Sequence, residues 1–285
     1  MKNGSNIEAT VVADSIGPNR SRLITLSLKY PRFIHAEFMT HRVFSRNASS
    51  SRAIPVSKVL SQVWNDPAMP VYWGANKPGM QASAELEGWK RKVSESLWKA
   101  SGKIACGIAW LMIKTNLHKQ IANRILEPWQ RIHVVVTATE WANFFLLRDH
   151  HMAQPEIREL AKKMDLAIQG SIPEYLVEGQ WHLPYITDAE KANYTPSDLL
   201  KMSVARCARV SYLKHDGGQS TLEDDCVLHE RLVGAEPRHS SPAEHQAMSL
   251  SKDYPIRFIK NFRGWYQYRA QLENEPVYLI PGIHQ

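Results

Sequence analysis

The segment Thr40-His41-Arg42-Val43-Phe44-Ser45-Arg46-Asn47-Ala48-Ser49-Ser50-Ser51-Arg52 carries most of the chemical information in this 285-residue chain. It is dense in hydroxyl side chains and arginines. Backbone N–H groups and hydroxyls can donate to a phosphate, and an arginine can bind one through two parallel hydrogen bonds. The composition therefore allows a phosphate-binding loop, and it equally allows a solvated serine-rich loop without any ligand.

The residues around this segment predict a strand followed by a helical turn. In Ile24–Lys29, apolar and polar side chains alternate with the period of a half-buried strand. Pro31 interrupts the alternation, and Phe33–Met39 predicts a helical turn that leads to His41. The small polar residues of Ser45–Ser51 predict a loop.

The middle of the chain predicts a surface excursion and then a long helix. Several proline and glycine turn signals fall in Pro55–Pro78, which we expect to run over the surface. From about Leu86 to Leu126 the pattern is helical, and Glu127-Pro128 ends it. The apolar residues that follow three- and four-residue steps are Trp89, Val93, Leu97, Ala100, Ile104, Ile108 and Leu111.

The remaining chain mixes strand and helix signals, which indicates the α+β class. His133–Val136 predicts a short strand. Thr137-Ala138-Thr139-Glu140 has the spacing of a helix capping box, and Tyr185–Ser197 is expected to be a loop. Helices are predicted over Trp141–Arg148, Glu156–Gln169, Asp198–Tyr212 and Asp224–Val233, with Pro155 restarting the second of them.

Composition narrows the class of protein. The net charge of +7 favours anionic partners, but the basic residues form no arm or stripe, so nucleic acid is less favoured than a nucleotide, a flavin or a folate. No signal peptide and no apolar run long enough for a membrane span are found. The three cysteines have no C-x-x-C spacing, which argues against a disulfide framework or a metal site and favours the cytoplasm.

The segment Thr40–Arg52 resembles the signature of the flavin-dependent thymidylate synthases, which is Arg-His-Arg, seven residues and then Ser. His41 and Arg42 match, seven residues follow, and Ser50 matches. The resemblance implies flavin contacts at His41, Arg42 and Asn47, and contacts with the nucleotide phosphate at Ser50, Ser51 and Arg52.

Three departures from the family pattern leave the identity of the base open. Thr40 replaces the first Arg of the signature, Ala48 replaces an acidic residue, and Glu37 replaces a Gln upstream. Positions 37 and 48 lie near the pyrimidine in the family. Glu37 is therefore a candidate substrate-binding residue, and both dUMP and dCMP stay open as substrates.

A second segment is similar to the helix of the same family that contacts the uracil ring. Asn143–Arg148, then Ala153-Gln154 and Glu156–Arg158, match its Asn-x4-Arg and Ala-Gln-x-Glu-Ile pattern. The resemblance makes Arg148 the candidate catalytic residue, because an arginine beside the ring can polarise it. It also implies a flavin contact at Asn143 and a nucleotide contact at Arg124. The departures, which alter the expected flavin environment, are Met152, Thr137 and Thr139.

A third resemblance is out of order along the chain. Ala208–Tyr212 and His239–His245 are similar to two flavin-contacting elements that precede the His-Arg signature in the family, yet here they follow it. They imply cofactor contacts at Ser211, His239, Ser241 and Glu244. We interpret the order as a circular permutation of the kind found in phage-like members, which closely spaced termini make possible. The residues of His239–His245 also fit a helix start capped by Ser241.

Together, the resemblances imply one catalytic domain over residues 1–285, with an antiparallel sheet, long helices and permuted segment order. Residues 55–80 are expected to be a surface insertion, and 203–250 a displaced flavin-binding segment. The implied reaction is reductive methylation of dUMP with FAD, methylenetetrahydrofolate and NADPH, in a cytoplasmic homotetramer (in a host cell, if a phage encodes the chain). The alternatives are hydroxymethylation of dUMP or dCMP by a related enzyme, and nucleotide or RNA binding without catalysis. No metal is expected, and none of Cys106, Cys207 and Cys226 is expected to be a nucleophile.

Overall fold

The computed structural model describes residues 7–82, 84–210, 220–236 and 238–273. The strands are β1 (Glu8–Ile16), β2 (Arg22–Pro31), β3 (Ser45–Ala48), β4 (Arg131–Ala138), β5 (Glu174–Tyr175), β6 (Trp181–His182), β7 (Ala247–Ser249), β8 (Phe258–Ile259), β9 (Phe262–Arg263) and β10 (Trp265–Gln267). The α-helices are α1 (His35–Phe38), α2 (Val56–Asn65), α3 (Gly88–Lys114), α4 (Lys119–Ala122), α5 (Ala142–Arg148), α6 (Pro155–Gln169), α7 (Asp188–Asn193), α8 (Pro196–Ala208), α9 (Leu222–Val233) and α10 (Tyr268–Leu272). Short 3₁₀ helices cover Arg32–Ile34, Asn123–Trp129 and Ser241–Glu244.

A five-stranded sheet of order β3-β4-β2-β1-β5 forms the centre of the α+β fold. Its neighbours are antiparallel except for β5, which pairs with β1 in parallel over two residues. The predicted alternation of β2 is confirmed: Ile24, Leu26 and Leu28 lie opposite Ala138, Val136 and Val134 of β4. These side chains are buried with residues of α5 and α6 in the largest core cluster, which covers one face of the sheet.

The other face of the sheet is covered by a second layer that contains β6, β7 and β10. These strands form their own three-stranded sheet, and Leu23 of β2 packs against Ala247 and Trp265 of this layer. Because both faces are covered, the polar side of β2 is also buried. Thr25, for example, has no exposed surface.

A row of buried hydrogen bonds joins the two layers. The Thr25 hydroxyl lies 2.7 Å from the Thr137 hydroxyl and 2.8 Å from His182 Nε2, and Thr137 lies 2.8 Å from His245 Nδ1. The row ends at Ser15, whose hydroxyl is 2.8 Å from His182 Nδ1. Burial lowers the pKa of His182 and of His245 to about 3, so both rings are neutral near neutral pH.

Helices α2 and α3 form a separate unit beside the sheet with its own apolar cluster, in which Val59 and Val63 meet Ala105 and Ala109. The helices approach the 3₁₀ segment Asn123–Trp129 closely. At Gly102 of α3, a Cβ atom would lie 3.1 Å from the Trp129 ring, so only glycine fits there without movement of the ring.

Several predictions of local structure are wrong. Part of the expected loops Ser45–Ser51 and Tyr185–Ser197 is strand β3 and helix α7. The helix expected from about Leu86 to Leu126 ends at Lys114, and α4 and a 3₁₀ segment follow it. The expected surface excursion Pro55–Pro78 contains helix α2. Thr137 does not cap a helix. It lies in β4, its hydroxyl is bonded to Thr25 and His245, and α5 begins after Trp141 without a side-chain cap.

The predicted helices over Glu156–Gln169, Asp198–Tyr212 and Asp224–Val233 are present as α6, α8 and α9, although α8 ends at Ala208. Ser241 does not act as the expected cap, because the 3₁₀ segment Ser241–Glu244 follows Ser240 and has no side-chain cap bond. No helix in the described part of the chain is both long and apolar enough to cross a membrane.

We predict that acid weakens the fold through His182 and His245. Their pKa is lowered from 6.5 to about 3, so the unfolded chain binds more protons in that window and the free energy of unfolding falls as the pH falls. Each histidine contributes up to about 1.4 kcal/mol per pH unit. His182→Gln should make the slope shallower by that amount in denaturant titrations below pH 6.5, whereas His151→Gln, on the surface, should not. Equal slopes in all three proteins would contradict the prediction.

Candidate functional site

Arg148, at the last position of α5, is bonded to three residues of the segment that follows β2. Its Nε donates to His41 Nε2 at 2.8 Å, one terminal nitrogen pairs with Glu37 Oε1, and the other donates to Thr40 Oγ1 at 3.2 Å. Helix α1 presents Glu37, and the turn after it presents Thr40 and His41. Residues more than a hundred positions apart in sequence therefore form one cluster, which we call the Arg148 cluster.

Two phenylalanines fix the ring of His41. It stacks on Phe44, with centroids 5.9 Å apart, and meets Phe144 edge-on at 4.8 Å. His41 is buried, which lowers its pKa, and the neighbouring charges of Arg148 and Arg46 lower it further. A neutral His41 that accepts from Arg148 at Nε2 carries its proton on Nδ1.

Arg148 and Glu37 form a partly buried ion pair within the Arg148 cluster. The side chain of Arg148 is 19% exposed and that of Glu37 is 28% exposed, so water screens their interaction only in part. The guanidinium charge is balanced by the carboxylate of Glu37, and His41 and Thr40 each accept one further N–H of Arg148. An anionic or electron-rich ligand at this place would take over one or more of these donors.

The candidate phosphate residues lie at the far end of β3 and surround Glu127. The Ser51 hydroxyl donates to Glu127 Oε1 at 2.7 Å, and Arg124 and Arg32 approach the same oxygen at 3.0 and 3.2 Å. Ser50 accepts a hydrogen bond from the backbone N–H of Arg52 at 3.3 Å, and the side chain of Arg52 is exposed. Ser51, Arg124 and Arg32 thus form a second set of donors of the kind that binds an anion. All three contact the carboxylate of Glu127.

The two ends of β3 are clearly separated. Ser49 continues the pairing of β3 with β4 through bonds to His133, so the chain is extended from Ser45 to Ser49. At about 3.3 Å per residue, those four steps span roughly 13 Å. Within one chain, the Arg148 cluster and the residues around Glu127 are therefore neighbouring sites along the strand.

The segment before β7 is packed against β3, as expected if it takes part in the same site. Gln267 bridges the two, because its amide nitrogen donates to the Ser45 hydroxyl at 3.0 Å and to the Glu244 carbonyl at 2.8 Å. Asn47 donates to the Cys207 carbonyl at 2.7 Å, which attaches α8 to the same strand. The segment from Ser203 to His245 is therefore not a detached module.

Some candidate cofactor residues are bonded to other side chains or to the backbone, whereas others are exposed to solvent. Asn47 is held by Cys207, and Glu244 is paired with Arg269. Burial raises the pKa of Glu244, although Arg269 opposes the shift. The side chains that are exposed are Arg42, Asn143, His239 and Ser241. Ser211 lies outside the described residues.

The sequence analysis missed Arg46 and Arg269. Arg46 donates to the Met39 carbonyl at 2.8 Å, and burial lowers its pKa while Glu244 opposes the shift. It therefore lies between the Arg148 cluster and Glu244. Its position in the hydroxyl- and arginine-rich segment was a usable signal, whereas nothing in the local sequence marked Arg269 as a partner of Glu244.

Two of the three cysteines, Cys106 and Cys207, are poorly placed for nucleophilic chemistry. Burial raises the pKa of the Cys106 and Cys207 thiols, which keeps them protonated. Within residues 7–82, 84–210, 220–236 and 238–273, no group of three or more His, Cys, Asp and Glu side chains is arranged to hold a metal ion.

We predict that Arg148→Met raises the pKa of His41, because it removes a positive charge that disfavours a second proton. The rise should be partial, since burial is the larger cause of the lowered pKa and remains. Titration of the His41 ring followed by NMR measures the shift. Lys162→Met, which alters a half-exposed cation on α6, should leave it unchanged. A His41 pKa that is the same in all three proteins would disprove the electrostatic coupling.

The solved structures that are similar to this chain include two of low sequence identity. The UMP/dUMP methylase PolB from Streptomyces cacaoi, bound with 5-Br UMP, is 16% identical, with a TM-score of 0.43 over 57% of this chain and 89% of the other. The flavin-dependent thymidylate synthase ThyX from Helicobacter pylori, complexed with FAD and dUMP, is 18% identical, with a TM-score of 0.34 over 51% of this chain and 67% of the other.

Curated protein sequences give no match. The family model described as thymidylate synthase complementing protein matches residues 21–174, which is more than half of the chain. The match includes β2, the His41–Arg52 segment and Arg148, and it stops before α8 and the His239–His245 segment. The chain therefore belongs to the thymidylate synthase complementing protein family.

Proposed function

We propose that this protein is a flavin-dependent thymidylate synthase that converts dUMP to dTMP with methylenetetrahydrofolate, FAD and NADPH. The observation that carries the proposal is the Arg148 cluster. It brings together two distant parts of the family match, and it contains Glu37, His41 and Arg148, which the motif resemblance assigns to substrate and flavin.

Arg148 is the proposed catalytic residue. Uracil C5 is a poor nucleophile, and a cation fixed beside the ring can stabilise charge that develops on it. The Arg148 cluster fixes the guanidinium in place, because His41 accepts the Nε–H of Arg148 and two phenylalanine rings hold His41. Because His41 is neutral, it adds no second charge that would compete for the same anionic group.

The carboxylate of Glu37 affects which pyrimidine base the Arg148 cluster can bind. Its carboxylate holds a donor of Arg148 that a nucleotide would need, so substrate binding exchanges one partner of the guanidinium for another. The acidic residue stands where the family resemblance implies an amide, and a carboxylate accepts hydrogen bonds but does not donate them. Because of this difference at Glu37, hydroxymethylation of dUMP or dCMP is the second candidate reaction.

The residues beside β3 have the chemistry to hold FAD. Its pyrophosphate requires donors, which Arg42, His239 and Ser241 offer as exposed side chains. Buried His245 has no partner at Nε2 among the described residues, one position after Glu244. Asn47, Asn143 and Glu244 complete the proposed cofactor set, with Ser211 proposed from the sequence alone. Reduced flavin bound there supplies the hydride of the reaction.

The nucleotide phosphate is proposed to bind Ser50, Ser51, Arg52 and Arg124. The extended segment Ser45–Ser49, which spans roughly 13 Å, separates these residues from the Arg148 cluster, and this separation favours a site shared between subunits of a homo-oligomer. We retain the homotetramer and the permuted order of the 203–250 segment as parts of the proposal. The family match ends at residue 174, so the roles given to His239, Ser241 and Glu244 rest on their motif and on their packing against β3.

We predict that Arg52→Ala raises the KM for dUMP more than it lowers kcat. A phosphate remote from C5 contributes equally to substrate and transition-state binding. A charge-assisted hydrogen bond is worth roughly 1.5–3 kcal/mol, or about 10- to 150-fold. Steady-state kinetics compare this variant with Arg231→Ala, which removes an exposed arginine of α9. An unchanged KM in Arg52→Ala would remove this residue from the site.

The proposed reaction is tested by incubating the protein with methylenetetrahydrofolate, FAD, NADPH and either dUMP or dCMP, followed by mass analysis of the nucleotide. We expect a methyl group on dUMP, no product with Arg148→Met, and normal product with Lys162→Met. A hydroxymethyl product, or conversion of dCMP, would replace the proposal with the second candidate. Saturable nucleotide binding with neither FAD binding nor any product would contradict both and indicate a binding protein.

A further inference from the structure

Arg46 is a partly buried arginine within the candidate site. It is the second residue of β3, where it lies opposite Val136 of β4. Its terminal nitrogen Nη1 donates to the Met39 carbonyl at 2.8 Å, just after the end of α1. The proposed reaction gives this side chain no role, although it lies between the Arg148 cluster and Glu244.

Arg46 has no carboxylate partner. Among the described residues, the acceptors of its side chain are the backbone carbonyls of Phe38 and Met39. Other partly buried arginines form ion pairs, as Arg22 does with Asp14. A guanidinium that is partly removed from water without a counter-charge is costly. A ligand that brings a negative charge to Arg46 would remove this cost.

The ion pairs on both sides of Arg46 balance one another and leave its own charge uncompensated. On one side, Arg148 is paired with Glu37. On the other side, two carboxylates are paired with two cations in a short chain, which consists of Glu244, Arg269, Glu273 and Lys260. Arg46 is therefore the positive charge for which these pairs provide no partner.

The rings near Arg46 are uncharged near neutral pH. Burial and the neighbouring arginines lower the pKa of His41, and they lower the pKa of His35 to about 4. Burial raises the pKa of Tyr30, whose hydroxyl lies 2.9 Å from His35 Nδ1. One cation among neutral rings suits a flat ligand with a single delocalised negative charge. A phosphate dianion binds instead where several donors converge, as they do around Glu127.

The position of Arg46 favours the flavin over the nucleotide as its ligand. The proposed cation for the pyrimidine base is Arg148, which lies on the other side of His41. Arg46 and Glu244 are close enough for the charge of each to affect the pKa of the other, and Glu244 belongs to the proposed cofactor set. The donors proposed for the pyrophosphate are exposed, so the partly buried Arg46 is left for the ring of the flavin.

We propose that Arg46 binds the edge of the flavin that contains N1 and the C2 carbonyl, and that it stabilises the negative charge of the reduced ring. The inference rests on the proposed function and adds a residue to its cofactor site. When NADPH is oxidised to NADP⁺, its hydride forms a bond to flavin N5 and leaves one negative charge on the ring, spread over N1 and the C2 oxygen. A cation beside N1 stabilises the reduced form over the neutral oxidised form, and so raises the reduction potential.

The reduction potential of the bound FAD tests this role. Arg46→Gln removes the charge but keeps N–H donors, and should weaken binding of reduced relative to oxidised FAD by about tenfold, which lowers the two-electron potential by about 30 mV. Arg46→Lys keeps the charge, so its potential should lie closer to that of the wild type. Arg231→Gln is the matched control, because it removes an exposed arginine of α9. Titration against a redox dye of known potential compares the four proteins.

Sulfite gives a second measurement that needs neither reduction nor turnover. It forms a bond to N5 of oxidised flavin and leaves the same negative charge on the ring, so Arg46→Gln should raise the Kd of sulfite by a similar factor. If Arg46→Gln binds FAD with unchanged potential and sulfite Kd, the inference is wrong while the proposed reaction still stands. A raised Kd for dUMP, or a loss of stability alone, at unchanged potential would likewise overturn it, by assigning Arg46 to the nucleotide or to support of α1. A wild-type protein that binds no FAD would contradict the proposed function itself.

Discussion

The hydrogen-bonded row from His182 through Thr25 and Thr137 to His245 is the constraint on which the arrangement of the molecule depends. Two threonine hydroxyls that face each other across β2 and β4 would be costly to bury unpaired. His182 and His245 of the second layer form hydrogen bonds with these two hydroxyls. These bonds fix the position of the second layer on the sheet. As a result the Ser241–Glu244 segment lies beside β3, and Gln267 bonds to both of them.

The Arg148 cluster depends on the same sheet in a different way. β2 leads into α1 and so places Glu37 and His41, while β4 leads into α5 and so places Arg148. The C-terminal ends of β2 and β4 lie at opposite ends of the sheet, but the chain after α1 returns to the end of β4, where Ser45 pairs with Thr137. The turn that carries His41 therefore meets the start of α5. Phe44 and Phe144 belong to the apolar core and contact the His41 ring, so part of the core orients His41 directly. The same construction explains how a charged guanidinium remains near apolar side chains: each of its three nitrogens has one partner on the α1 side.

Much of the fold and of the site could be predicted from sequence where the pattern was periodic or the motif was long. The alternation in β2 was predicted in this way and is confirmed. His41 and Arg148 were also named in this way, and the structure brings them into contact, while their roles stay predictions. The failures have physical causes. Thr137–Glu140 and Thr187–Glu190 share the Thr-x-x-Glu pattern, yet only the second caps a helix, because the Thr137 hydroxyl is used in the buried row. The partnership of Arg148 with Glu37 and the pairing of Ser45–Ala48 with β4 depend on contacts distant in sequence, which local pattern does not contain. Periodicity likewise predicted helix α3 but did not indicate that large apolar side chains on it, such as Trp89, Leu97 and Ile104, are exposed.

The central claim is that the Arg148 cluster and the residues beside β3 form one site for a pyrimidine nucleotide and a flavin. The most direct measurement is the visible absorption spectrum of the FAD-loaded protein during titration with dUMP. If the two ligands share the site, dUMP should perturb the flavin bands saturably in the wild-type protein and should not do so in Arg148→Met at the same concentrations. A protein that binds FAD but shows no spectral response to dUMP, or that responds equally with and without Arg148, would contradict this account of the site.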